Sequence, residues 1–525
     1  MADRNAHYTV LISRRCILIL FTMTSSVFIF SWFCVLRSTS GRPHFIDHRS
    51  LPNSMNFATI DSGDFFRKDQ NEGQPLLAIP LEPVGDHGNT PQVKDVNCNS
   101  KKAVLKVFMY DLPPEFHFGL LDWKATEGGS VWPDMQSKFP SYPGGLNLQH
   151  SIEYWLTLDL LSSTMPDFKD SRSAIRVFNS SEADVIFVPF FSSLCYNRFS
   201  KVRPPQKRSR NKLLQEKLVS FLTSQEEWKR SGGRDHVVLA HHPNSMLDAR
   251  TKLWPAILIL SDFGRYPPNI ANVEKDIIAP YKHVIKTFEN DSLGFDDRPT
   301  LLYFQGAIYR KDGGFARQEL FYLLKDEKGV HFSFGSVQGD GIRKATQGMH
   351  SSKFCLNIAG DTPSSNRLFD AVASHCVPVI ISDEIELPYE DVLDYSEFCV
   401  FVRTSDALRK RFLIRLMRGI TKEEWTQKWN KLKEIERFFE FQYPSRENDA
   451  VHMIWQAIAR KVPSVQLKLN KAQRFTSIVL LEKSCKCAVL QQGDSPLFSQ
   501  QILGTQQIRN FTEKRIASLL VCYMY

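Results

Sequence analysis

From residue 104 onward, short and near-continuous apolar runs alternate with helix-length amphipathic stretches, and this alternation constrains the fold more than any other feature. The runs at 104–110, 183–191, 236–240 and 257–260 lack the every-second-residue polarity of a half-exposed strand. Strands of that kind are covered on both faces, as in a parallel sheet flanked by helices. Residues 149–161 and 211–222 are the helix candidates between them. A second series begins near Arg298, with strands predicted at 300–304, 331–334, 354–358, 377–381 and 398–402 and helices at 316–324, 366–373 and 408–417. Two βα series that meet around residues 285–298 predict an α/β chain of two doubly wound, Rossmann-type domains with a ligand cleft between them.

At 525 residues the chain is too long for one ordinary core. Its 42% hydrophobic and 23% charged residues exclude both a disordered chain and a polytopic membrane protein. The net charge of +9 is spread along the length without a zinc finger, an RNA-recognition signature or a basic helix with heptads, so no nucleic-acid partner is expected. The densest basic run, 201–212, reads as a solvated loop entering a helix.

Residues 16–36 are uncharged and apolar, long enough at about 1.5 Å per residue to cross a bilayer. The run exceeds a signal-peptide core and ends without a small-residue cleavage pattern, so it reads as a signal anchor behind a cytosolic tail of residues 1–15. Arginines flank it on both sides and do not orient it. Acceptor sequons at Asn179, Asn290 and Asn510 all follow the span and support a lumenal body. Residues 37–102, punctuated by proline and without periodicity, read as a flexible stem. Cys355, Cys376 and Cys399 sit in strand-like runs and are expected as simple buried residues. Thr421 and Glu424 form a capping-box pattern, and Trp425, Trp429, Leu432, Ile435 and Phe439 recur at helical spacing as a packing face.

Two loops carry candidate chemistry. After the strand at 300–304, Gly306, Arg310, Gly313 and Gly314 lead into a helix and suit a bound phosphate, although neither a Walker A nor a GxGxxG pattern is present. After the strand at 354–358, Ser364, Ser365 and Arg367 offer hydroxyls and a guanidinium to a diphosphate. Asp370, one turn further on, is positioned for ribose hydroxyls, or alternatively for a surface ion pair with Arg367.

The segments 351–356, 365–371 (Ser-Asn-Arg-Leu-Phe-Asp-Ala), 376–383 and 387–390 together resemble the exostosin-type signature of glycosyltransferase family 47. Earlier segments at 107–110, 183–189, 241–245 and 262–266 resemble its plant branch, which includes the arabinan arabinosyltransferases of pectin synthesis. The similarity spans about residues 103–468. It implies a GT-B architecture, with an acceptor-side domain at 103–290 and a nucleotide-sugar domain at 291–468. It also implies an inverting transfer from a UDP-sugar to a pectic polysaccharide, by a type II Golgi membrane protein with a lumenal body. Homo- or hetero-oligomers with related transferases are a further implication. Arg310 and Arg367 match arginines suited to the UDP diphosphate, and Glu390 falls in the donor-side motif. Transfer of xylose, galactose or glucuronic acid, or a non-catalytic place in a synthase complex, are the alternatives. Two departures stand out: His375 sits where relatives often carry glycine, and the tail at 469–525 looks unlike the family.

Transfer requires stabilising the departing diphosphate and deprotonating the attacking hydroxyl. No Asp-x-Asp occurs, so arginines rather than a metal are expected for the first task, with no cofactor. His241, His242, Asp262 and Asp276 are the base candidates.

Overall fold

In the computed structural model the chain divides into two compact units, Met1–Lys94 and Asp95–Tyr525. The structure describes Ser25 and Ser26 of the first, and of the second residues 104–474 save 137–138, 166–171, 289–290, 311–313 and 336–338. Apart from Ser25 and Ser26, the expected anchor and stem lie outside the described residues, as do the sequons Asn290 and Asn510, Gly313 and the tail beyond 474. Among the described residues no helix is long and apolar enough to cross a membrane.

Two parallel sheets form the second unit, each within a Rossmann-like domain. The first contains β1 (Leu105–Met109), β2 (Ala174–Val177), β3 (Val185–Val188), β4 (His236–Leu239), β5 (Ile257–Leu260) and β6 (Ile277–Ile278), in the order β2-β1-β3-β4-β5-β6. The second contains β7 (Thr300–Gly306), β8 (Val330–Phe334), β9 (Ser352–Ile358), β10 (Val377–Ile381) and β11 (Val400–Phe401), in the order β11-β10-β9-β7-β8. Every pairing is parallel. The central strands β3, β4, β5 and β10 are buried at each position, which is why their sequences run apolar without alternation. Edge strands β2, β8 and β11 are only partly buried, and β2 and the two-residue β6 carry no pattern that predicts them.

Helices cover both sheets. α1 (Ile152–Ser162), α2 (Ser192–Phe199), α3 (Arg210–Ser224), α4 (Glu226–Ser231) and α5 (Arg250–Leu253) belong to the first domain. α6 (Phe315–Leu324), α7 (Gly341–His350) and α8 (Arg367–Ala373) connect strands of the second. The helix expected at 408–417 is split. A turn, α9 (Thr404–Ala407), comes first, Arg411 takes φ +58°, and α10 (Phe412–Gly419) is phased by its buried face of Leu413, Ile414 and Met417. α11 (Lys422–Ile435) carries both bonds of the capping box and buries Trp425 and Trp429 as a packing face. α12 (Ala450–Gln473) crosses back to the first sheet, where Trp455 packs on Phe187 and donates to Asp159 at 3.0 Å. Residues 450–468, read from sequence as part of the second domain, thus lie against the first.

Cys355 and Cys376 depart from the expectation of simple buried thiols. Parallel pairing of β9 with β10 brings their Cα atoms to 5.7 Å and they form a disulfide, while Cys399 stays free and buried. Asn179 is exposed at the turn after β2, and 201–208 is an exposed loop leading to the Ser209 cap of α3.

Candidate functional site

In the second sheet the strand order reverses direction between β7 and β9, so their connections leave on opposite faces and open a crevice at the carboxyl ends. Gly306 ends β7 and Gly360 follows β9. A Cβ on Gly306 would sit 1.8 Å from Nη2 of Arg367, and one on Gly360 would sit 2.7 Å from Nη2 of Arg317. The two glycines therefore make room for two guanidiniums.

Arg367, the first residue of α8, donates from Nε to the Gln305 carbonyl at 3.0 Å and from Nη1 to Ser365 Oγ at 3.1 Å, and lies over the Phe304 ring. Arg317, on α6, is buried and donates to the carbonyls of Ile358, Ala359 and Ala307. Among the described residues no carboxylate is bonded to either. Arg310 reaches the same end of the crevice, half-exposed and 3.0 Å from Asp361. Burial, and then the neighbouring charges of Arg367 and Arg310, push the Arg317 guanidinium down to about 8. Burial also lowers Arg367 to about 10, against the opposing pull of Asp370. Three cations held together with one paired carboxylate are an arrangement suited to an anion.

The crevice continues into a cleft of about 450 Å³ between the two sheets. Its second-domain wall contains Gly306, Arg310, Arg317, Ser364, Ser365, Arg367 and Asp370, and its first-domain wall contains Gln149, His150, His242, Asn244, Arg265 and Tyr281. The walls are tied where Ser364 Oγ bonds both the Tyr281 hydroxyl and Asp262. Asp370 does not pair with Arg367. Its oxygens accept from the Val284 amide and the Asn366 side chain, both at 2.8 Å, which pins the segment between the domains to α8.

Glu390 does not line the cleft. It is exposed and its carboxylate accepts from the Leu387 amide, because the chain turns at Tyr389, whose φ is +61°. Of the four base candidates the cleft receives His242. His241 is fully buried behind it, with Nδ1 2.9 Å from His150 Nδ1 and Nε2 3.1 Å from the Ala279 carbonyl. Asp262 is buried and caps the Gly264 amide as well as holding Ser364. Asp276 is buried among Lys275 and the amides of Leu258 and Asn272, where it fixes the turn before β6. His242 Nδ1 accepts from the Asn244 amide at 3.1 Å. Burial lowers His241 to about 3 and His242 to about 4. Arg317 and His150 were not among the sequence candidates. The glycines that make space for the guanidiniums were the available signal for the first, and the second had none.

Comparison with known proteins places this geometry in context. Residues 101–417 match the Exostosin GT47 domain. The Probable arabinosyltransferase ARAD1 of Arabidopsis thaliana is 40% identical over 392 residues, covering 74% of this chain and 85% of that protein. A Probable glucuronosyltransferase of Oryza sativa subsp. japonica is 26% identical over 379 residues, covering 68% and 82%. A Probable beta-1,4-xylosyltransferase of Arabidopsis thaliana is 24% identical over 379 residues, covering 68% and 82%. A solved Staphylococcus aureus TarM structure containing UDP aligns over 59% of this chain and 58% of that one, at 11% identity and a TM-score of 0.26, which carries no argument.

Proposed function

The chain belongs to the Exostosin GT47 family and is a glycosyltransferase, and from that premise we propose that its cleft moves an arabinosyl unit from a UDP-sugar to a pectic arabinan with inversion. The observation that carries this reading is the convergence of Arg310, Arg317 and Arg367 at the β7/β9 switch point, where two of the three have no carboxylate partner among the described residues. A diphosphate supplies the missing charge, and the β-phosphate oxygen that joins it to the sugar becomes more negative as its bond to the anomeric carbon breaks. Guanidiniums anchored on carbonyls before the donor arrives stabilise that charge without reorganising.

Donor on the second domain and acceptor on the first is the GT-B division of labour, and the cleft between two parallel sheets supports it. The 40% identity to a Probable arabinosyltransferase favours arabinose over the glucuronosyl and xylosyl specificities of the more distant relatives. The arginine set also supports transfer without a metal. A Golgi lumenal body on a type II anchor is supported by the Cys355–Cys376 disulfide and the exposed sequon at Asn179.

The test is to incubate the purified full-length protein with an arabino-oligosaccharide and a panel of UDP-arabinose, UDP-xylose, UDP-galactose and UDP-glucuronic acid, with and without EDTA. Extension from UDP-arabinose is expected in both conditions. Turnover of another donor instead would reassign the sugar. UDP binding with no transfer from any donor would favour a non-catalytic subunit.

A further inference from the structure

The first-domain wall of the cleft carries a hydrogen-bond chain that fixes where protons sit. A carbonyl oxygen only accepts, so the 3.1 Å contact of His241 Nε2 with the Ala279 carbonyl requires a proton on that nitrogen. His241 is fully buried and held neutral, so its Nδ1 is a bare acceptor. The partner 2.9 Å away, His150 Nδ1, must then be the donor. A neutral His150 with its proton on Nδ1 has a lone pair on Nε2. No group among the described residues bonds Nε2, and His150 lines the cleft.

His242 is wired the opposite way. Its Nδ1 accepts from the Asn244 amide, so its neutral form carries the proton on Nε2 and presents a donor. Of the two cleft histidines, only His150 can accept a proton at its distal nitrogen.

We propose that His150 is the catalytic base of the transfer and that His241 is a positioning residue which holds it in the Nδ1-protonated tautomer. The inference rests on the glycosyl-transfer reading above. In the step, the acceptor oxygen forms its bond to the sugar anomeric carbon while the bond from that carbon to the diphosphate oxygen breaks. The bonding pair leaves with UDP, and the acceptor hydroxyl proton moves to His150 Nε2. The imidazolium keeps its Nδ1–H bond to His241 and releases the new proton to solvent through the cleft. His242 Nε2–H donates to the bound acceptor and does not take its proton.

Two measurements on the full-length protein test this. Two-bond ¹⁵N–¹H spectra of ¹⁵N-histidine-labelled enzyme, with the His150 signals assigned through His150→Asn, should show His150 as the Nδ1–H tautomer. An Nε2–H tautomer there would overturn the relay whatever the activity. In His241→Gln, His150 should shift toward Nε2–H as turnover falls, whereas lost turnover with an unchanged His150 tautomer would mean that His241 serves only packing.

Kinetics use whichever donor the wild type turns over. His150→Asn keeps a donor near the Nδ1 position but has no equivalent of Nε2. Turnover should fall about 10²- to 10⁴-fold while UDP affinity stays within twofold. Turnover within tenfold of wild type in a folded variant would remove His150 from the chemistry. If the wild type transfers from no donor, the functional reading fails and the base role with it, while the spectrum still decides the tautomer relay.

Discussion

The two domains thread their strands in the same order, yet the crevices at their switch points are finished in opposite ways. At the carboxyl ends of β1 and β3 the following loops fold inward, and His117 stacks on Trp132 at 4.1 Å with Phe118, Tyr154 and Phe191 packed around them. At the carboxyl ends of β7 and β9 glycines keep the space open, and arginines rather than aromatic rings line it. Topology supplies a crevice in both domains. Side chains then finish the two crevices differently, aromatic in one and cationic in the other. The first domain contributes to the cleft through His242 and Tyr281, just past the ends of β4 and β6, and through Gln149 and His150 in the long connection from β1 to β2.

The largest effect that tests this contrast is expected at Arg367. Arg367→Ala removes a charge-assisted bond worth about 1.5–3 kcal/mol, so UDP affinity should drop by roughly ten- to a hundredfold. Turnover should fall further, because the leaving oxygen gains charge in the transition state. Arg367→Lys should restore little, since an ammonium cannot reproduce a planar fork. Calorimetric UDP titration and steady-state kinetics read both, and near-normal values for Arg367→Ala would place the donor elsewhere. Trp132→Ala, in the filled crevice, should do the reverse. It should cost about 3–5 kcal/mol of stability by urea unfolding and leave UDP affinity within twofold. A large loss of UDP affinity in that variant would break the comparison.

Gly306→Ala is expected to be a weaker version of the arginine variant. The new Cβ lies where the Arg367 guanidinium sits, and that group has a terminal side chain's freedom to move aside. UDP affinity should fall by about fivefold to tenfold with the fold retained, and Arg367→Ala in the same background should add little, as expected for two changes at one contact. Additive losses would show that Gly306 acts independently of the arginine.

These residues also show what was readable in advance. Most strands of both sheets, though not β2 or β6, and the helix after Thr421 were legible because apolar runs and a capping box are local. Arg310 and Arg367 were legible because each sits beside a glycine or hydroxyl-rich loop after a strand. Arg317 was not, since an arginine one turn into a helix ordinarily points to solvent, and only the tertiary approach of β9 supplies the carbonyls that bury it. The Asp370 side chain lines the cleft and also accepts from the Val284 amide, 86 residues earlier in the chain, a bond that local spacing does not encode. The disulfide and the His150–His241 contact depend on which strands become neighbours, which local pattern does not encode.

The smallest expected effect contrasts buried histidines of the first domain with His375 of the second through their pH dependence. Burial lowers His117, His241 and His242 in the first domain, with His117 and His242 at about 4. In the second, burial also opposes the charge on His375, but its bonds to Asp291 at 3.0 Å and Glu436 prevail and raise it above its ordinary value. Asp291 is itself clasped by Arg298 and His350. The two kinds of histidine then act with opposite sign. Where the folded value is lowered, the unfolded chain binds the proton first, so stability is lost as pH falls below about 6.5. Where it is raised, the contribution is fully present below about 6.5 and is lost as pH rises through the raised folded value. His375 has φ +51°, a conformation that asparagine tolerates, so His375→Asn removes the charge with little backbone penalty. Unfolding midpoints between pH 5 and 8 should show the largest deficit of His375→Asn relative to wild type at the acid end, shrinking toward alkaline pH. His242→Asn should show the opposite trend, with its deficit smallest, or reversed, at the acid end. A deficit of His375→Asn that does not change with pH would mean that the residue is neutral in the fold and that its role is only to fill the turn before β10.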